Sequence, residues 1–195
     1  EDSGAGLCKK YLGADATHVL DPTMLLAKED YIHLCEAENE PRAEGTLFHY
    51  ILDPDAMKTS FVGKVAAETG LKAFQVMPKR FIGNHTREDM KCRIGDFVFP
   101  RVTTWLRAFM DAEMTIVDSF HGAVFSILFN KPFWVTGNEK RGMARFTSLL
   151  KMFHLEDRLV DEADLGALGG GRALGRLLLR EAGEHGRRRP RARRD

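Results

Sequence analysis

Short apolar runs alternate with longer amphipathic or polar segments along most of the chain. Four of these runs are rich in β-branched and aromatic residues, as is typical of buried strands; they lie at 46–52, 72–77, 114–117 and 133–136. A shorter run at 17–20 predicts one more strand. Helical periodicity or helix start and stop residues mark the segments at 28–38, 53–69, 103–112, 122–129 and 143–153. This alternation predicts an α/β fold: a Rossmann-like parallel sheet of five or six strands with helices on both faces.

Three segments depart from this rhythm. Residues 78–96 are polar and lack a clear period, which predicts a long loop of the kind that often carries function. From about residue 161 the composition shifts to Gly, Ala, Leu and Arg. We therefore divide the chain into a Rossmann-like domain at 1–160, a Leu-rich helical extension at 161–182 and a disordered basic tail at 183–195.

The net charge of +1 is unevenly distributed. Six of the last nine residues are Arg and one is Asp, which leaves residues 1–186 with a net charge of −4. An acidic body argues against a nucleic-acid partner, and we interpret the basic tail as a solvated terminus rather than an arm that binds nucleic acid or membrane.

Composition also bears on compartment. No apolar run approaches the roughly 20 residues of a membrane span. The three cysteines, Cys8, Cys35 and Cys92, are scattered, and no leader sequence is visible. We therefore predict free thiols in a cytoplasmic protein. The chain opens on polar residues without a Met, so we expect a piece of a longer protein.

A tight corner, "DSFHG" at 118–122, joins the strand at 114–117 to the next helix. In a doubly wound sheet such a loop lies where ligands bind, and the free amides of a helix start favour an anion. Gly122 would allow a ligand close to the backbone, and His121 adds a proton or hydrogen-bond donor. A helix cap with a packed histidine is an equal alternative. Asp118 either orients His121 or caps the helix, and we predict the cap.

Four stretches carry a resemblance to a known family: "HVLDPTMLL" at 18–26, "YILD" at 50–53, "IVDSFHGAVFSILFNKPF" at 116–133 and "RGMARFTSLLKMFHLEDRLV" at 141–160. Together they resemble the polysaccharide pyruvyl transferase family over about residues 1–160. The resemblance implies the C-terminal domain of a B-type glycosyltransferase fold, with the first domain outside this chain. It also implies transfer of a pyruvyl group from phosphoenolpyruvate to a surface polysaccharide, giving a pyruvate ketal. The acceptor would be a saccharide, free or lipid-linked.

The resemblance gives the corner residues specific roles. His121 is the expected general acid, or the donor of a hydrogen bond to the phosphate. The Ser119 hydroxyl and the amides of His121 and Gly122 would hold an oxyanion. Arg141 and Arg145 would bind phosphate or carboxylate, although either one alone is more simply a solvated residue at a helix start. No metal is expected, because the histidines and cysteines lack metal-ligand spacing. No cofactor is expected either.

Two further hypotheses stay open. The same corner could bind the diphosphate of a nucleotide sugar in a glycosyltransferase domain. Alternatively, the chain could be a non-catalytic α/β domain used for assembly, with His121 structural. We interpret His18, His33 and His49 as structural residues, because they lie in strand-like or helical runs.

Overall fold

Five strands form one parallel sheet in the computed structural model, which describes residues 1–78, 94–137, 142–161 and 165. The strands are β1 (Leu47–Tyr50), β2 (Ala73–Phe74), β3 (Met114–Val117), β4 (Phe133–Thr136) and β5 (Leu159–Val160). Their order across the sheet is β2-β1-β3-β4-β5, and every neighbouring pair is parallel. The predicted α/β, Rossmann-like fold is confirmed.

The described residues include six α-helices: α1 (Asp2–Leu7), α2 (Lys28–Ala37), α3 (Ala56–Thr69), α4 (Val102–Asp111), α5 (Phe120–Leu128) and α6 (Ala144–Phe153). Local residues set their ends. The Asp55 side chain accepts a hydrogen bond from the Lys58 amide at 2.8 Å where α3 begins. Gly70, with φ of 71°, ends the same helix in the left-handed conformation that glycine adopts without strain.

Side chains of the strands alternate between two apolar cores, one on each face of the sheet. Leu47 and Ile116 pack with Phe61 of α3 on one face. Phe48 and Val117 pack on the other face with residues of α2, α4, α5 and α6. The predicted arrangement of helices on both faces is therefore confirmed, and both faces are buried as a parallel sheet requires.

The order of the strands makes the gap between β1 and β3 a topological switch point. From β1 the chain passes through α3 to β2, which lies next to β1 at one edge of the sheet. β3 lies on the other side of β1 and leads outward to β4 and β5. In such sheets the ligand crevice lies beyond the carboxyl ends of the strands at this point. The residues after β1 and β3 therefore occupy the position expected for a site.

Two details of the sequence prediction were wrong. Residues 17–20 form no strand; they have no regular secondary structure and lie outside the sheet, and Val19 is 71% exposed. β5 was not predicted, because its two residues are too short to give a periodic pattern. Most of the predicted loop at 78–96 and most of the extension at 161–182 lie outside the described residues, as do the whole tail at 183–195 and Arg141. In the part of the chain that the structure describes, no helix is both long and apolar enough to span a bilayer.

Candidate functional site

The corner after β3 is the start of α5, and Ser119 is its N-cap. The Ser119 hydroxyl oxygen accepts a long hydrogen bond of 3.5 Å from the amide of Gly122. His121 lies in the first turn, with 55% of its side chain exposed. The predicted use of the hydroxyl and the Gly122 amide for an oxyanion would therefore compete with this cap.

The structure explains why residue 122 is a glycine, which the sequence alone did not show. A Cβ at this position would lie 2.9 Å from Cβ and 3.0 Å from Cγ1 of Val117 on β3. Such distances are too short for an unshifted side chain, so glycine allows α5 to pack closely on the strand that precedes it. Close packing explains this glycine without a ligand.

Asp118 neither caps α5 nor contacts His121, and the predicted cap was wrong. Its fully buried carboxylate accepts hydrogen bonds from the amides of Leu52 at 2.6 Å and Asp53 at 3.1 Å. The ammonium of Lys58 on α3 lies 2.9 Å away, and it also donates to the Asp53 carbonyl at 3.0 Å. Asp118 thus connects the segment after β3 to the segment after β1. These contacts hold the two segments together at the switch point.

His121 lines two cavities at the carboxyl edge of the sheet. The first, here called the Asp21 cavity, has a volume of about 270 Å³ and is lined by Glu1, His18, Val19, Leu20, Asp21, Phe120, His121, Arg145, Ser148, Leu149 and Met152. The second, here called the switch-point cavity, has a volume of about 490 Å³ and is lined by Tyr50, Leu52, Val76, Phe99, Pro100, Val102, Trp105, Ser119 and His121. The imidazole therefore stands where two spaces of different chemistry meet.

Asp21 is a site residue that the sequence analysis missed. Its Oδ2 lies 3.7 Å from Nε2 of His121. Hydrogen bonds from the amide (3.0 Å) and hydroxyl (2.6 Å) of Thr23 hold the carboxylate, and the Tyr31 hydroxyl donates to the Thr23 carbonyl at 2.8 Å. Burial raises the pKa of Asp21, but the two bonds from Thr23 and the nearby His121 outweigh burial, so the net pKa is lowered. An ionised carboxylate therefore faces the imidazole near neutral pH.

The signal for Asp21 was the "DPT" stretch, which belongs to one of the family-like segments. The sequence analysis interpreted the run before it as a strand. In the structure Asp21 is the N-cap of a 3₁₀ turn, Pro22–Leu25. His18, interpreted as structural, also lines the Asp21 cavity.

Of the two arginines predicted to bind the substrate, Arg145 is among the described residues and Arg141 is not. Arg145 is exposed in the first turn of α6, lines the Asp21 cavity and lies over the Phe120 ring, 5.5 Å from its centre. This contact places the guanidinium over the residue that precedes His121. Arg141 lies outside the described residues. Within the described ranges, no group of three or more His, Cys, Asp or Glu side chains could hold a metal ion.

A comparison with protein-family models finds one family that matches the part of the chain containing the corner at 118–122. A family model described as polysaccharide pyruvyl transferase matches residues 1–140, a range that includes Asp21, Ser119, His121 and Gly122 but not Arg145. The comparisons with curated proteins and with solved structures find no match.

Proposed function

The chain belongs to the polysaccharide pyruvyl transferase family, and we propose that it moves a pyruvyl group from phosphoenolpyruvate to a sugar of a surface polysaccharide. Family membership supports a transferase with a saccharide acceptor. The observation that carries the finer proposal is the position of His121, exposed between two cavities at the carboxyl edge of the sheet, with the Asp21 carboxylate 3.7 Å away.

Ketal formation sets the chemical demands on this site. Two sugar hydroxyl oxygens bond to C2 of phosphoenolpyruvate, the bond from C2 to the phosphate oxygen breaks, and the C3 methylene becomes a methyl group. One hydroxyl proton must therefore reach C3, and the other leaves with the phosphate. The protein has to deliver a proton and to hold the phosphate and carboxylate groups.

Three of the described residues have side-chain chemistry that supports this proposal. His121 delivers the proton or donates a hydrogen bond to the leaving phosphate. Asp21 faces Nε2 and holds the ring in orientation by its charge. Arg145 supplies the permanent positive charge for a phosphate or carboxylate. This arrangement accounts for His121 better than a packed structural histidine, because more than half of the side chain is exposed.

The test replaces His121 in the intact enzyme. His121→Ala should reduce turnover by about a hundredfold or more, the usual effect of losing a positioned acid, and His121→Gln should keep part of the phosphoenolpyruvate binding without the proton transfer. The assay measures phosphate release and ketal formation together. His33→Ala is the matched control, because His33 is exposed on α2 and lines neither cavity.

The same proteins separate the other hypotheses. Thermal shift with phosphoenolpyruvate and with nucleotide sugars distinguishes a pyruvyl transferase from a glycosyltransferase. Equal turnover of His121→Ala and wild type would remove His121 from catalysis. A protein that binds neither ligand would favour an assembly domain.

A further inference from the structure

The two cavities that share His121 differ in the charged side chains among their described lining residues. Among the described lining residues, Arg145 is the permanently charged cation, and it lies in the Asp21 cavity. That cavity also contains the carboxylates of Asp21 and Glu1, of which Asp21 already accepts two hydrogen bonds from Thr23. The described lining of the switch-point cavity has no Arg, Lys, Asp or Glu. Within the described lining, the guanidinium that a phosphate or carboxylate could contact therefore lies on the Arg145 side of His121, and the other side offers apolar and aromatic surface.

The wall of the switch-point cavity is aromatic and rigid. The Trp105 ring meets Tyr50 edge-on at 5.5 Å, Phe109 at 4.7 Å and Phe125 at 4.9 Å between ring centres. Phe99, which is 62% exposed, also lines the cavity. Because three neighbouring rings fix Trp105, this wall loses little conformational entropy when a ligand binds.

The size and position of this cavity fit a ligand. Its volume of about 490 Å³ lies within the roughly 300–1,000 Å³ of ligand pockets, which are mostly apolar with a few polar groups. Ser119 and His121 are polar groups of that kind here. The cavity also lies between the segments that follow β1 and β3, at the switch point.

We propose that the switch-point cavity binds a pyranose ring of the saccharide acceptor, and that the phosphoenolpyruvate anion binds on the Arg145 side of His121. This inference rests on the proposed function, in which two substrates must meet at the proton donor. His121 lines both cavities, so a substrate in each would place both next to the imidazole. A sugar is amphipathic: its C–H faces pack on aromatic rings, and its hydroxyls bond to polar groups at the rim. Phosphoenolpyruvate lacks such an apolar face.

The test blocks the cavity without touching the core. Val102 lines the cavity and is 70% exposed at the first position of α4, so Val102→Arg should fold normally while its longer side chain occupies the space. Ile94→Arg adds the same charge to another exposed side chain, 87% accessible, that lines neither cavity. Trp105→Ala removes the aromatic wall directly.

Binding is measured on the intact protein by saturation-transfer NMR with methyl glycosides of galactose, glucose and mannose, with and without phosphoenolpyruvate. Wild type and Ile94→Arg should transfer saturation to the pyranose C–H protons of at least one glycoside, and Val102→Arg should lose the signal. In the ketal assay Val102→Arg and Trp105→Ala should raise the acceptor KM about tenfold or more and leave the phosphoenolpyruvate KM unchanged.

The outcomes separate this inference from the proposed function. If phosphoenolpyruvate binds and turns over but Val102→Arg leaves the acceptor KM unchanged, the acceptor site is elsewhere and the transferase proposal stands. A raised phosphoenolpyruvate KM in Val102→Arg, but not in Ile94→Arg, would assign the cavity to the donor and overturn the inference. Absence of saturation transfer to all three glycosides in wild type would also overturn it. Glycoside binding that depends on Val102, in a protein that does not bind phosphoenolpyruvate, would support the cavity and refute the transferase proposal.

Discussion

Replacing Asp118 with Asn should destabilise the protein strongly, because the carboxylate is fully buried and has three donors. It accepts hydrogen bonds from the amides of Leu52 and Asp53 and from the Lys58 ammonium, at 2.6, 3.1 and 2.9 Å. The neutral amide of Asn leaves the Lys58 charge uncompensated where its side chain is only 7% exposed. Removing one partner of a buried pair typically costs about 3–5 kcal/mol. A domain has about 5–15 kcal/mol of stability in total, so the loss should be obvious in urea unfolding.

The matched control is an exposed pair with a shorter distance. Lys9 and Asp15 approach to 2.7 Å, but their side chains are 63% and 89% exposed. Asp15→Asn should change the free energy of unfolding by no more than about 0.5 kcal/mol. The comparison separates burial from distance as the source of the effect.

A double-mutant cycle completes the test. If the pair is coupled, the double variant Asp118→Asn, Lys58→Met should lose much less stability than the sum of the losses of the two single variants, because no unpaired charge then remains buried. An Asp118→Asn protein that is as stable as Asp15→Asn would refute this account of the switch point. Additive costs in the cycle would show that the backbone hydrogen bonds, and not Lys58, carry the effect.

Two further outcomes follow from the packing of α5 and from the buried carboxylate of Glu40. Gly122→Ala should destabilise the protein by about 1–3 kcal/mol in urea unfolding, because its Cβ would overlap Val117; an unchanged midpoint would contradict the packing argument. Burial raises the pKa of Glu40, but hydrogen bonds from the hydroxyls of Thr103 and Thr104, each 2.6 Å, outweigh it and lower the net pKa below 4.5. A lowered folded-state pKa gives stability that is complete above the unfolded value and is lost as pH falls through the folded one. Glu40→Gln should therefore flatten the loss of stability below about pH 4.5, as measured by denaturant unfolding at a series of pH values, and an unaltered pH profile would contradict the shift.

The sequence by itself determined the elements and the class of fold. The strands at 46–52, 114–117 and 133–136 and the end of α3 at Gly70 were predicted because periodicity, caps and breakers are local signals. The "DSFHG" corner was predicted to join a strand to a helix at the sheet edge, and the family resemblance was confirmed. The catalytic and binding roles of the corner residues stay predictions.

Only the tertiary structure decided which distant residues meet. Lys58 pairs with Asp118 across 60 positions of sequence, and Asp21 comes to His121 from the far end of the chain. No periodic pattern or motif shows which of these residues pair with each other, because parallel strands are joined by crossovers and the sheet order, not the sequence order, sets the neighbours. The same order places β1 beside β3 and opens the crevice between them. The sequence could therefore locate the corner, while the partners of that corner depend on how the sheet is wound.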